Sequence, residues 1–515
     1  MDWFTEPAEK LHTALQSYDN RSKHRSPRPV NEQLAREPDL IPALTDPSTT
    51  LREYYFSRTC RILSGFDSPK NPLREWVSRL SMHEPVIHFC MLSISAAHVS
   101  QKKCRTGALG LKHHVNALSS LANEVARRDF LPSSRSPDDS NLRARETQTT
   151  AILLLGIVMI GITSSWHDPF SLGLQHLHAA RTLFQQHVSR NGALSFQGPP
   201  DMSDSSARHF FVGALAYWEA LASFIVDQNT DVADYLLPFY DRGETTTLSI
   251  HPWSGVSTTL FIYLSKVGSI ARQLRHLRKP PPLQTRAQML TETRNTLLLH
   301  AASLEESVSQ YRVPAVEAVS DTDDPFAPVG HFQTLARVYQ LSSLLELYRN
   351  FPELLAQKTR TIVLQQDAVF HSNYRDRLNA LAIDILSLVA SIPETSGTRA
   401  SQMLALIIAG STLQFQGDMS TEGNVQSLDG TSTPAVIGHW RSFVDARLGN
   451  MHRFVGLKTV NQAGAIVKET WERADLSGLA SGRGARMDDE TPVQPATIVH
   501  WIDVMIEKGL ETILG

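Results

Sequence analysis

The segment that opens at Pro85 limits the fold more than any other. Val86, Ile87, Phe89, Cys90, Met91, Leu92, Ile94, Ala96 and Ala97 put apolar side chains almost all the way round a helix with 3.6 residues per turn. A helix of that kind offers water no face, so other elements must cover every side of it. The residues ahead of it fit the same plan. Leu51, Tyr54, Tyr55, Arg58, Ile62 and Leu63 recur at three- and four-residue spacing, with Arg58 the one polar member. Gly65-Phe66-Asp67-Ser68-Pro69 and Asn71-Pro72 then break the pattern, because proline disfavours the helical region for its predecessor.

Downstream the helical period returns repeatedly. It predicts a helix over 109–130 with Leu118, Leu121, Val125 and Ala126 on one face. A fully apolar helix follows from Thr149, then a turn at Trp166, then a stripe of Leu177, Ala180, Leu183 and Phe184. Residues 209–226 read as a further buried helix. After His251-Pro252-Trp253-Ser254-Gly255-Val256, a helix carries Leu264, Val267, Ile270, Leu274 and Leu277 on one face. Ser254 or Ser257 is placed to cap its start, and Gly255 to permit a tight entry. Residues 332–355 read as amphipathic, with Leu335, Val338, Leu341, Leu345 and Tyr348 in phase and Phe351-Pro352 as the stop. Residues 383–392 and 404–410 are core helices, Trp440–Leu448 and Ala465–Trp471 form a late group, and a terminal helix turns Trp501, Val504, Met505 and Ile513 inward.

No strand alternation of any length occurs, and helix pairs recur every 30–45 residues. The expected fold is all-α, a large irregular array of antiparallel helical hairpins around buried apolar helices. Residues 1–45 are polar and proline-broken and read as a disordered tail, leaving 46–515 as one helical domain. Flexible loops are expected near 132–145, 190–207, 417–434 and 475–495, where Gly, Ser, Thr and Pro cluster.

A net charge of −3 and a pI near 6.7 argue against a chain that grips nucleic acid with its whole surface. Two basic stretches stand out locally. Arg21, Lys23, Arg25 and Arg28 could serve nuclear import, though a solvated tail is the preferred reading, and Ser26-Pro27 beside them is a weak phosphorylation motif. Lys266, Arg272, Arg275, Arg278 and Lys279 line one helix; a solvated face whose last-turn cations offset the helix dipole is preferred over a phosphate-binding patch. Cys60, Cys90 and Cys104 give no disulfide framework and read as buried, reduced thiols of an intracellular protein. The opening MDWFTEPAEK has no basic-then-apolar leader pattern. The apolar run Ala151–Ile162 falls short of the ~20 residues of a membrane span, so no membrane role is expected.

Several of these stretches together resemble the fungal-specific transcription factor domain, the large helical regulatory region of fungal zinc-cluster transcription factors. They are Tyr54-Tyr55-Phe56, the Phe66–Pro72 turn, Leu92–His98, the apolar helix from Thr149 with Trp166 and His176–Phe184, and the His251-Pro252-Trp253-Ser254-Gly255 motif. Leu335–Pro352, Leu404–Gly410 and His500–Met505 continue the series in the same order, so the resemblance spans roughly 40–515. It implies a nuclear regulator of RNA polymerase II transcription. Such a regulator works through the transcriptional machinery or other zinc-cluster factors, as a homodimer in some cases, and in some cases under a small-molecule inducer. In the family a six-cysteine cluster binding two zinc ions precedes this region and reads DNA. No cysteine precedes Cys60 and no two lie within four residues, so this sequence holds no such cluster. DNA contact, and zinc as a cofactor, would come only from a missing N-terminal module or a partner. The alternative is a stand-alone ligand-sensing or interaction protein that has lost DNA binding. Any ligand would sit in an apolar pocket between helices, with residues the sequence does not name.

Enzyme motifs fail. His83-Glu84-Pro85-Val86-Ile87-His88 resembles a zinc-protease helix, but its histidines are five apart rather than four, which takes them off a shared face. His113-His114 and His176/His178 lack companion ligands nearby in sequence, and Asp321, Asp323 and Asp324 read as a solvated acidic loop. No catalytic, metal-binding or DNA-binding residue is assigned, and no enzyme is expected.

Overall fold

The N-terminal helical face runs through a change of winding. In the computed structural model, α1 (Pro47–Tyr54) passes into a π-helical turn at Tyr55–Thr59 and on into α2 (Cys60–Leu63). Leu51, Tyr55 and Thr59 are buried four residues apart, followed by Ile62 and Leu63. The wider turn keeps these side chains on one seam, and it leaves Arg58 half-buried beside that seam. The structure describes residues 46–102, 107–129, 140–191, 204–239, 248–277, 285–358, 367–415, 433–483 and 498–512.

Among those residues there are eighteen α-helices and no strand, as the periodicity predicts. After α3 (Pro72–Leu80) comes α4 (Pro85–Lys102), which packs along α5 (Gly107–Asp129) and against α6 (Ser140–Ile162). Ile87, Cys90, Met91, Ile94 and Ala97 of α4 are fully buried, so its all-round apolar character is spent on burial as expected. The stretch Arg145–Ile162 of α6 is long and apolar enough to cross a membrane, and 78% of it is covered by the rest of this chain. The short α7 (Ser164–His167) occupies the expected Trp166 turn, and α8 (Leu174–Asn191) packs back on α6.

The second half repeats this arrangement. Helices α9 (Asp204–Ser223) and α10 (Thr258–Leu277) form a close pair, and α11 (Thr285–Gln310) and α12 (Val329–Asn350) both lie on α10. After α13 (Pro352–Lys358), α14 (Asp367–Ser391) and α15 (Met403–Thr412) cover α12; α16 (Pro434–Val455) and α17 (Lys458–Arg483) then cover α15. The last described helix, α18 (Trp501–Lys508), packs against α17 and α15. Caps explain several starts. Asp46, Asn71 and Thr433 accept from Thr49, Leu73 and Val436 amides, each ahead of a proline in the first turn. Gly456 and Gly509, with φ of +73° and +61°, end α16 and α18.

The His251 motif builds a small second core of Phe66, Val256, Leu260, Val329 and Phe332. Neither Ser254 nor Ser257 caps α10 as predicted: the Ser257 hydroxyl donates to the Ser254 carbonyl, and the Ser254 hydroxyl pairs with that of Thr258. The turning group is His251 instead. Its Nδ1 accepts from the Trp253 and Ser254 amides at 3.2 and 3.1 Å, and its Nε2 donates to the Phe210 carbonyl at 3.0 Å. Two accepted amides at Nδ1 require a neutral ring protonated at Nε2. Gly255 sits at φ +61° as expected, and a Cβ there would come 2.9 Å from the Phe332 ring.

Several predicted boundaries move. Residues 140–145, 204–207 and 475–483, placed in loops by composition, belong to α6, α9 and α17. Ala126, expected on the inner face of α5, is exposed; Ala117 and Leu121 are the buried members. The predicted tail with Arg21–Arg28, together with Cys104, Arg278, Lys279 and Ile513, lies outside the described residues. Cys60 and Cys90 are free and buried. Burial pushes the Cys60 thiol up to about 12 and raises Cys90 as well, which makes both poor nucleophiles.

Candidate functional site

Helix α12 was expected to show water a polar face; its first turns do, as at Arg337, but from Val338 onward it does not. Gln340, Ser342, Ser343, Glu346, Arg349 and Asn350 are all buried alongside its apolar residues. The polar stripe is covered by α10, α15 and the approach to α18, and it organises a group of buried charges.

Glu346 is its centre. Its carboxylate accepts from the Trp501 indole N–H at 2.5 Å, from His500 Nε2 at 3.1 Å and from the Asn350 amide at 3.3 Å, with Arg349 at 3.8 Å. Arg349 donates to the Ser411 hydroxyl at 2.9 Å and the Val499 carbonyl at 3.0 Å. Arg275 reaches across from α10 to Asp503 at 2.9 Å and to the Asn350 side-chain oxygen. Gln414 exchanges two hydrogen bonds with the backbone of Val499. The polar groups of 499–503 that enter the core are thus met by Glu346, Arg349, Arg275 and Gln414 from earlier in the chain. Two carboxylates face two guanidiniums, so the charges balance within the cluster.

The protonation states follow from the same contacts. Burial alone would raise the Glu346 carboxyl, but His500, Arg349 and the Trp501 N–H overcome it and hold the group below its ordinary value. Burial, followed by the neighbouring Arg275, lowers His500. His500 Nδ1 accepts the Ile502 amide as the cap of α18, so the ring is neutral and donates through Nε2 to an ionised Glu346.

This places the basic helix face differently from both sequence readings. Arg272 and Arg275 are buried, paired with Asp227 and Glu511 and with Asp503; Lys266 pairs with Asp234 at 2.7 Å. The two arginines are internal fasteners and Lys266 is a half-buried one, so these three form neither a fully solvated face nor a phosphate-binding patch. The acidic loop is solvent-exposed at Asp321 and Asp323, as expected, and departs from that reading only at Asp324. Asp324 is buried and accepts the Asp67 amide at 2.8 Å and the Phe326 amide at 2.9 Å, while Lys70 holds Asp323 at 3.0 Å.

The histidine pairs do not become metal sites among the described residues, where no group of three or more His, Cys, Asp or Glu side chains could hold an ion. His88 faces the Ser81 carbonyl and His83 lies in the turn ahead of α4. His113 is buried, and neither of its ring nitrogens has a hydrogen-bond partner. His114 packs on His167 with ring centroids 4.2 Å apart, and Ser93 Oγ touches both, at 3.3 and 3.0 Å. Burial brings His114 and His176 down to about 4. His178 stays exposed beside Arg181.

Sequence reading missed Glu346, Arg349, Asn350 and Gln414. One signal was present: Glu346 and Arg349 lie three apart, and Leu341, Leu344, Leu345, Leu347 and Tyr348 surround them with apolar side chains. Their partner segment lies some 150 residues later, and no local pattern reports such a distance.

In comparisons with known proteins, the fungal-specific transcription factor domain matches residues 50–515. No curated protein matches the chain, and no solved structure does.

Proposed function

The chain belongs to the fungal-specific transcription factor domain family, and on that premise we propose that it regulates RNA polymerase II transcription in the nucleus through protein partners. The match over residues 50–515 is the observation that carries this reading. DNA contact belongs to a zinc-cluster module or to a partner that has one, since the basic residues Lys266, Arg272 and Arg275 are committed to internal ion pairs. The role is regulatory rather than enzymatic. Mechanistically, α18 is the element suited to a switch. It is short, and beside its buried Trp501, Ile502, Val504 and Met505 its polar contacts with the core converge on Glu346, Arg349 and Arg275. A partner or inducer that binds better with α18 docked, or better with it released, shifts that balance by its differential affinity.

The test is a tethered reporter. The full chain, fused to a heterologous DNA-binding module in fungal cells, is expected to change reporter transcription several-fold over the module alone. It is also expected to recover transcription-associated proteins by cross-linking. A fusion that enters nuclei, occupies the reporter site and leaves transcription unchanged would overturn the proposal.

A further inference from the structure

A second group of cations lies away from the α18 cluster and lacks its balance. Arg58, on the π-helical turn, and Arg399, on the 3₁₀ turn Gly397–Gln402, both set their guanidinium groups against the Phe454 ring of α16, at 5.4 and 3.4 Å from its centroid. Arg61 and Arg447 are the next cations beside Arg399. Two carboxylates among the described residues lie beside the four. Asp67 meets Arg61 at 3.5 Å but is held at 2.6 Å by Arg74, and Glu394 faces Arg447. Like charges gathered this way repel, and burial followed by Arg61, Arg447 and Arg58 lowers the Arg399 pKa accordingly.

The backbone holds these groups in place without neutralising them. Arg399 donates to the Ser396 and Thr395 carbonyls, Arg58 to the Phe454 carbonyl, and Arg447 to Gln402 Oε1 and the Ile392 carbonyl. Carbonyl acceptors fix a guanidinium's plane and leave its charge intact. Arg58 Nε is buried with no acceptor at all, and such a donor carries a standing cost until an acceptor arrives. Arg61 and Arg399 remain partly exposed, so the cluster is open to solvent on one side.

We propose that Arg58, Arg61 and Arg399, backed by Arg447, form a binding site for a phosphate monoester dianion. Guanidinium forks suit tetrahedral oxyanions, and charge-assisted bonds here would remove the mutual repulsion. The phosphate could be carried by a small phosphorylated metabolite or by a phosphorylated side chain of a partner. The recognising chemistry is the same, and the inference does not rest on the transcriptional reading.

The experiment is calorimetric titration of the full-length chain with inorganic phosphate at constant low ionic strength. Saturable binding at one site is expected. Arg399→Gln should weaken it about tenfold or more, the loss of one charge-assisted hydrogen bond. Arg61→Gln, at a half-exposed position that the fold does not require, should weaken it as well. Glycerol 3-phosphate and a glycine-flanked phosphoserine peptide identify the source. Equal affinities point to a metabolite, and a clear preference for the peptide points to a partner chain. No saturable phosphate binding by the wild-type chain, or unchanged binding by both folded variants, would overturn the proposal.

Discussion

Glu346→Ala is expected to destabilise the domain by about 3–5 kcal/mol, the usual consequence of stripping one partner from a buried ion pair. The variant leaves Arg349 without its neighbouring carboxylate, and it leaves the Trp501 N–H and His500 Nε2 without an acceptor. Asn350 keeps its bond to the residue-346 backbone carbonyl, so α12 itself is not unwound. Thermal unfolding followed by helical circular dichroism reads the effect. The double variant Glu346→Leu/Arg349→Met separates two explanations. If the cost comes from uncompensated charge, the double variant should be less destabilised than the sum of its single changes, because both charges leave together. Strict additivity would show that the two residues act independently, contrary to the geometry.

The second large effect is acid lability. Nine described histidines have pKa values lowered first of all by burial, and in six the shift is large: His114, His176 and His209 to about 4, His500 to about 3, and His167 and His251 well below the ordinary value. A lowered histidine is neutral in the fold but takes up a proton in the unfolded chain below about pH 6.5. Its contribution to stability is therefore complete above that pH and falls as pH drops toward the folded value. His251 and His500 are the most enclosed and carry the firmest expectation, about 2 kcal/mol each on going from pH 7 to pH 5. The other four keep an edge toward solvent and add less. Glu346, also lowered, acts further down: its contribution persists above its unfolded value near 4.5 and is lost as pH falls toward about 2. The denaturant midpoint should thus fall steeply between pH 6.5 and 5, with proton uptake on unfolding in that window. A flat midpoint from pH 7 to 5 would contradict the neutral assignments of His251 and His500.

How much of this was legible in the sequence depends on the distance over which each feature is decided. Helical periodicity is local, so the helices at 85–99, 174–188 and 209–226 and the break at Phe351-Pro352 could be read directly. Turn chemistry was half legible. Gly255 was assigned its role correctly, but the cap went to serines because they are the usual capping residues, whereas His251 does the accepting. Polar faces were the systematic miss. A stripe of Glu346, Arg349 and Asn350, or of Lys266, Arg272 and Arg275, looks solvated until its partners are known, and those partners are on other helices. Loop ends were misplaced wherever polar residues extend a helix that tertiary packing holds, as at 140–145 and 475–483.

The account turns on α18 being fastened to the core by the charge cluster around Glu346. Hydrogen exchange of the amides in Trp501–Lys508, measured in the wild-type chain and in Glu346→Gln, tests that most directly. Slow wild-type exchange, comparable to that of α12, with selective acceleration in the variant while α4 and α6 stay protected, is the predicted result. Exchange of α18 near the rate of an unstructured peptide in the wild type, or indifference to Glu346→Gln, would contradict it.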